Sequence, residues 1–350
     1  MAVRSLVSVI LTMVAVACTK PTSEIGVDAS AAASDAGTEG IRIATYNILG
    51  SHFLQDGSPI CLDQTGAACT ELRATNFMRI VRGDAGFGAF DVVGVQEMER
   101  DQFIQIGRGL SGVDPAYTSE PLKYDRHPVA LDPDYLTQNI DDYARTIYWR
   151  HDKFALLAKG TVAYPTNDGT NVGVSRNSYA PWVKLRSIAT GHELVVLNHH
   201  AAVTTANIYR SAQSAVFREQ TARIVSAWVA EVQAQQHVPV IVMGDFNSTF
   251  ELRGVAPHDD DIIYAGDRSR LPYCVLTAGG VLQNTSDTLA KRTGACPTVI
   301  GGAVDHVYAT IGVPVLDLVR VPKHSPITSP ATDLVSHCSD HGPVYVDLGL

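Results

Sequence analysis

After residue 40 the chain alternates short, β-rich apolar runs with helical stretches, and most apolar runs stop on a polar cluster. The runs are IRIATYNIL (41–49), DVVGVQE (91–97), RTIYWR (145–150), PWVKLRSI (181–188), ELVVLNHHA (193–201), VPVIVMGDF (238–246), AVDHVYAT (303–310) and GPVYVDL (342–348). Alternation in the later runs predicts half-buried strands. ELRATNFMRIVRG (71–83) has a helical pattern, and so has the stretch 206–236, where Val216, Ile224, Trp228 and Val232 fall near helical spacing. Such an order asks for helices laid over sheets. Segments 112–144 and 251–302 are loop-rich and are expected above the scaffold, where recognition usually resides. Neither a linker-like break nor an internal repeat follows residue 40, so 41–350 reads as one domain.

Composition narrows the classes. Of 350 residues 45% are hydrophobic and 18% charged, enough apolar material for a large core. Disordered and collagen-like classes are excluded. Lysine and arginine number 27 against 36 aspartates and glutamates, a formal net charge of −9. That disfavours a protein that coats nucleic acid by charge alone. It leaves room for an enzyme that meets a few phosphates at a local site. The six cysteines lack the CxxC pairs of a structural zinc site.

The first 17 residues, MAVRSLVSVILTMVAVA, have the layout of a secretory signal peptide. Arg4 precedes an apolar run from Leu6 to Val16, and small residues Ala15 and Ala17 end it. The run is too short for a comfortable transmembrane helix. Cys18 follows directly, and the stretch resembles the lipobox of bacterial lipoproteins, which implies acylation of Cys18. Ala15 stands where that family usually has Leu or Val, and ordinary cleavage after Ala17 is the alternative. Residues 18–40 are small and polar and would form a flexible tether. Export permits disulfides. Cys61–Cys69 and Cys274–Cys296 each close a modest loop, and Cys338 makes the remaining count odd.

The polar clusters carry the functional argument. Asn47 closes the first run and Gln96–Glu97 the second. Asn198–His199–His200 and Gly244–Asp245–Phe246–Asn247 close two more. Asp305–His306 lie inside a strand, and Ser339–Asp340–His341 precede the last one. Singly, each has an ordinary reading as a turn former or a packing residue. Six of them in this order are hard to attribute to turns. The series TYNIL, QEM, NHH, GDFN, VDH and SDHGPV resembles the endonuclease/exonuclease/phosphatase superfamily over residues 41–350. The resemblance implies an α/β four-layer sandwich, two packed mixed β-sheets flanked by helices.

It also implies a phosphoesterase. A phosphate repels a nucleophile until a cation neutralises it, a water must lose a proton, and the leaving oxygen must be stabilised. By resemblance Glu97 is the metal ligand, with Asn47 and Asp340 completing the surroundings directly or through water. Magnesium is the expected ion, with manganese or calcium as alternatives. His200 and His341 are the candidate acid/base residues, and Asp305 would orient His341. Strand alternation admits only one of His199 and His200 to the site, and His200 is the one that matches. His306 should face away from Asp305 and be structural. Asp245 would orient or deprotonate water, and Asn247 would donate to a phosphoryl oxygen. Arg150 and Arg176 resemble phosphate-contacting arginines, and Glu120 in SEPL resembles a partner of His200.

The motifs name a reaction and leave the substrate open. SEPL, YWR, the MGDFN form and export lean towards a nuclease. Tyr117, Tyr124, Arg126 and Tyr135 would then offer stacking and phosphate contacts. A sphingomyelinase-like lipid phosphodiesterase and an inositol-phosphate-type phosphatase are the alternatives. A catalytically silent binding lipoprotein would have been free to lose these acids and histidines. The expected partners are a phosphodiester, nucleic acid favoured, and a membrane if Cys18 is acylated. No protein partner is implied. The expected location is the cell envelope, otherwise the periplasm or medium.

Overall fold

The computed structural model describes residues 40–350 apart from 51–58, 62–65, 85, 100, 104, 107–116, 120–143, 165–178, 202–207, 249–266, 292–303, 322–337 and 340. The signal, the tether up to residue 39 and Cys18 therefore lie outside the described residues, as do Glu120, Arg176, Cys296 and Asp340.

Two six-stranded sheets form among the described residues. The first runs in the order β11 (Val315–Arg320), β12 (Val344–Gly349), β1 (Gly40–Asn47), β2 (Val92–Gln96), β4 (Arg145–Arg150) and β3 (Tyr117–Ser119). The second runs β5 (Phe154–Ala163), β6 (Tyr179–Ser187), β7 (Glu193–His200), β8 (Val240–Asp245), β10 (Asp305–Thr310) and β9 (Leu282–Asn284). Each sheet has one parallel pair at its middle, β1 with β2 and β7 with β8. A parallel pair needs a crossover connection, usually a helix. Helix α1 (Gly66–Val81) lies in the first crossover and α2 (Ile208–Gln236) in the second.

Side-chain alternation builds the layers. Ile41 and Ile43 of β1 pack with Val196 of β7 and Ile241 and Met243 of β8, so these faces form the core between the sheets. The opposite residues Ala44 and Tyr46 pack on Phe77, Ile80 and Val81 of α1. In the second sheet Val195 and Leu197 pack on Val225 and Val229 of α2 and on residues of α3 (Pro272–Ala278). The result is the expected four-layer α/β sandwich.

One polar residue crosses the apolar centre. Asn198 donates from Nδ2 to the carbonyls of Val95, 2.8 Å, and Thr146, 3.1 Å, and accepts from Gln96 Nε2 at 2.5 Å. Buried amides need such partners. The close approach depends on Gly94, where a Cβ would lie 2.5 Å from Met243 Cε and 3.0 Å from Asn198 Cγ. This stitch holds the sheets together directly beneath the polar strand ends.

The eight expected strands are present, and the structure adds elements to them and moves one helix start. Strands β5 and β11 lie at sheet edges with many half-exposed or exposed side chains, so their hydrophobic signal is weak. The described part of the loop-rich segment 251–302 holds α3, β9 and α4 (Thr285–Leu289). Strand β3 lies within segment 112–144 and pairs with β4. Helix α1 starts at Gly66 rather than residue 71, and the Cys61–Cys69 disulfide holds its first turn. Cys274 is also disulfide-bonded, while Cys338 is free and buried.

Candidate active site

Topology delivers the polar residues to one end of the sandwich. Strands β1 and β2 end together at Asn47 and Gln96, and β7 and β8 end together at His200 and Asp245. Strand β10 runs antiparallel to β8, so its first residue, Asp305, pairs with Asp245. Strand β12 runs antiparallel to β1, which brings His341, just before it, to the same end. Asn47, His200, Asp245 and Asp305 share the strand parity of Ile43, Val196, Met243 and Val307 in the inter-sheet core. The site is where the two inner faces change from apolar to polar.

Asn47 is the hinge of the arrangement. Its Nδ2 donates to Glu97 Oε1 at 2.9 Å and to Asp245 Oδ2 at 3.0 Å. Its Oδ1 accepts from the Leu49 N–H at 3.0 Å. In this geometry Asn47 aims two carboxylates at a common point, and its own oxygen is occupied by backbone. His200 Nε2 stands 3.5 Å from Glu97 Oε1 and 3.9 Å from Asp245 Oδ2. Glu97, Asn247 and Leu49 all have positive φ, at 58°, 45° and 56°. Such conformations are uncommon outside glycine and gather at functional sites.

Asp245 accepts at Oδ1 from the Asn247 N–H, 2.8 Å, which closes a tight turn. Asn247 Nδ2 donates to the Ala201 carbonyl at 3.0 Å and so ties the loops after β7 and β8. The second of its two amide N–H groups takes no partner among the described residues. Gly244 precedes Asp245, and a Cβ there would fall 1.9 Å from the His199 carbonyl oxygen. Only glycine permits this approach of β8 to β7.

His341 forms the other half. Its Nδ1 meets Asp305 Oδ2 at 2.8 Å, so a proton on Nδ1 leaves Nε2 as the exchanging nitrogen. Its backbone N–H donates to Ser339 Oγ, 3.1 Å, and Ser339 Oγ donates to the Asn47 carbonyl, 2.7 Å. The two halves of the site are thereby hydrogen-bonded to each other.

Electrostatics favour a cation. Burial pushes the Asp245 carboxyl up to about 7, the Asp305 charge adds to this, and His341, Asn47 and Asn247 oppose it. Burial, with the charge of Arg145 behind it, holds His200 well below the usual histidine range. The histidine is therefore neutral and adds no positive charge beside Glu97 and Asp245. Glu97, His200 and Asp245 each place a ligand atom within 4.8 Å of the others, and Asp245, Asp305 and His341 form a second such group. Glu97 and Asp245 supply the oxygen donors that a hard divalent ion prefers, so this set fits one.

Two other histidines face away. His199 lies on the outer side of β7, against Phe246 at 4.7 Å and in hydrogen-bond contact with the Tyr164 hydroxyl. Burial lowers its pKa to about 3. His306 packs edge-on against Phe246 and Tyr273 and at a tilt to Tyr308.

Arg150 is a correction. Strand β4 is antiparallel to β2, with Arg145 opposite Gln96 and Trp149 opposite Val92. Arg150 thus lies at the far end of β4, about 17 Å from Arg145 along the strand. There it holds Asp152 at 2.6 Å and stands 3.6 Å from Asp91. The arginine at the site end is Arg145, buried on the inner face with its Cζ 5.5 Å from the Tyr179 ring centroid. The two arginines end one strand five residues apart, so they point to opposite faces, and the direction of the strand decides which end meets the site. Arg73, buried beneath the site loops, was also missed because it reads as an ordinary helical arginine.

The sequence profile described as the Endonuclease/Exonuclease/phosphatase family matches residues 44–341. Among curated protein sequences none matches this chain at a significant level. Solved structures do. A protein of that family from Bacteroides thetaiotaomicron is similar with a TM-score of 0.56 at 18% identity, over 89% of this chain and 98% of that one. A mannosyl-6-phosphatase from the same organism gives 0.55 at 19%, over 88% and 99%. ANGEL2, a 2′,3′-cyclic phosphatase, gives 0.54 at 17%, over 89% and 96%. At such identities the likeness is one of fold.

Proposed function

The chain belongs to the endonuclease/exonuclease/phosphatase family, and from that membership we propose an exported, magnesium-dependent phosphodiesterase that acts on nucleic acid by water attack on phosphorus. Members of the family are divalent-metal-dependent phosphoester hydrolases. The observation that carries the proposal is the pair of adjoining groups, Glu97–His200–Asp245 and Asp245–Asp305–His341, joined at Asp245.

Glu97 and Asp245 would hold the ion, and Asn47 keeps their carboxylates convergent. Bound there, a divalent ion supplies the charge that neutralises the phosphate. Asp245 also orients the attacking water or takes its proton. Asn247 donates its second amide N–H to a phosphoryl oxygen. His341, with Nδ1 on Asp305, exchanges a proton at Nε2 with a reacting oxygen. His200, kept neutral by burial, is a proton acceptor or hydrogen-bond donor at Nε2 on the opposite side.

The preference for nucleic acid rests on SEPL and the MGDFN form. A second reading, a phosphomonoesterase of sugar phosphates, is suggested by the shared fold with the mannosyl-6-phosphatase. A substrate panel separates them: double- and single-stranded DNA, RNA, bis-p-nitrophenyl phosphate, sphingomyelin, inositol phosphates and mannose 6-phosphate, with magnesium or EDTA. DNA, RNA or the model diester should be cleaved with magnesium, EDTA should stop the reaction, and added magnesium should restore it. Cleavage insensitive to EDTA would remove the metal from the proposal, and a preference for mannose 6-phosphate would replace the nuclease reading.

Export is supported by the Cys61–Cys69 disulfide and by the disulfide-bonded state of Cys274, which suit an oxidising compartment. We further propose that Cys18 is acylated and anchors the protein in the cell envelope. Intact-mass analysis of the membrane fraction should find a lipid-modified mature N-terminus at Cys18; an unmodified Cys18 rejects the anchor.

A further inference from the structure

The site is built from two loops that are distant in the chain, and one buried arginine holds both. Arg73, on α1, is 1% exposed. Its Nε donates to the Cys338 carbonyl at 2.9 Å. Its Nη2 donates to the carbonyls of Ile48 and Leu49. Ile48 and Leu49 follow Asn47, which aims Glu97 and Asp245. Cys338 precedes Ser339, whose hydroxyl donates to the Asn47 carbonyl and accepts from the His341 N–H. The guanidinium therefore bonds to the loop that shapes the carboxylate half and to the loop that carries the acid/base half.

Several features suit this task to arginine. A guanidinium presents its donors in a rigid planar fork and stays charged when buried. A lysine ammonium is a single point and cannot keep the same three carbonyls at the same separations. The base of the fork is itself fixed: Cys69, one turn before Arg73, is disulfide-bonded to Cys61, and Thr70 Oγ1 bonds Asp101 at 3.1 Å. The Cys338 thiol also donates to the Arg73 carbonyl at 3.6 Å, so the His341 loop is held by α1 through two contacts.

We propose that Arg73 is a positioning residue that sets the distance between the metal-holding half of the site, around Asn47, Glu97 and Asp245, and the acid/base half at His341. It acts through backbone carbonyls and does not contact the substrate. The inference rests on the hydrolytic reading above.

The test uses the mature chain with bis-p-nitrophenyl phosphate for turnover and calorimetry with Mn²⁺ for metal affinity, a readout independent of turnover. Arg73→Lys is expected to lower kcat and Mn²⁺ affinity each about 10- to 100-fold, as loss of an outer supporting residue does, with KM little changed. Ser339→Ala cuts the parallel link from Asn47 to His341 and leaves the guanidinium in place, and about a tenfold loss of kcat is expected, at the lower end of that range. In an Asn47→Ala background Arg73→Lys should cost far less than in wild type, because both act on one arrangement. Arg42→Lys is the control. Arg42 pairs with Asp347 at 2.6 Å at the opposite end of β1, so this variant should lower stability and leave kcat unchanged.

Wild-type kcat and Mn²⁺ affinity in Arg73→Lys would overturn the inference, and so would a fully multiplicative loss with Asn47→Ala. If Arg73→Lys does not fold, Arg73→Gln is measured in its place, and wild-type kcat and Mn²⁺ affinity there overturn the inference. A wild-type chain that hydrolyses nothing removes the hydrolytic reading instead, and the Mn²⁺ affinities still decide the role of Arg73.

Discussion

Asp245→Asn should lower kcat about 100- to 10,000-fold, the range for losing a group that handles the proton of the attacking water. Asp245 belongs to both ligand groups, so no other single change touches as much of the site. Both of its oxygens are committed as acceptors, Oδ2 to Asn47 Nδ2 and Oδ1 to the Asn247 N–H. Asparagine has one oxygen, so one of these donors would face an N–H instead. Either Asn47 loses its grip on the carboxylates or Asn247 leaves its turn.

Folding stability should move much less, for a reason that pH exposes. The metal-free Asp245 carboxyl is raised from 3.8 to about 7, chiefly by burial and then by the Asp305 charge. A raised carboxyl favours the fold while protonated, and that contribution is lost as pH rises through about 7. In EDTA, wild type should therefore lose stability relative to Asp245→Asn between about pH 4 and 7. Denaturation curves across that window, with kcat measured in saturating magnesium, check both parts. Turnover within tenfold of wild type would take Asp245 out of the chemistry.

His341→Ala should lower kcat by a comparable factor, about 100- to 10,000-fold, through loss of proton transfer. Asp305→Asn should cost about 10- to 100-fold, because it acts by orienting another group. Asp305 Oδ2 lies 2.8 Å from His341 Nδ1, and Arg320 Nη1 donates to the Asp305 carbonyl at 2.7 Å, which fixes its backbone. The double variant should be no slower than His341→Ala alone, since Asp305 would have nothing left to orient. Asp305 Oδ1 is buried and accepts no hydrogen bond among the described residues. If Asp305→Asn multiplies the loss in the His341→Ala background, Asp305 has a second task beside Asp245, and the kcat values of the four proteins decide this.

The comparison of Arg150 with Arg145 shows how far local sequence reaches. RTIYWR is legible as a strand, and its alternation shows that residues two apart share a face. Nothing within it states whether it runs parallel or antiparallel to β2. That choice puts Arg145 beside Gln96 and sends Arg150 to Asp91 and Asp152. His199 and His200 pose the opposite case. Alternation alone requires them to part, and the inner partners of Asn198 show which way β7 faces.

By itself the sequence determined the periodic elements, the candidate Cys61–Cys69 bridge, and the short strings that place acids, amides and histidines at strand ends. These depend on neighbours a few residues apart, and side-chain alternation and turn chemistry act over that distance. The tertiary structure alone decided that the strand ends converge, since that depends on strand order and direction in two sheets. It decided that Asn47 Nδ2 donates to Glu97 and Asp245 while its Oδ1 accepts from the Leu49 N–H. It also decided the role of Arg73. A helical arginine becomes a support for the site only when carbonyls from residues 48, 49 and 338 reach one guanidinium, and no local pattern encodes a contact across 265 residues.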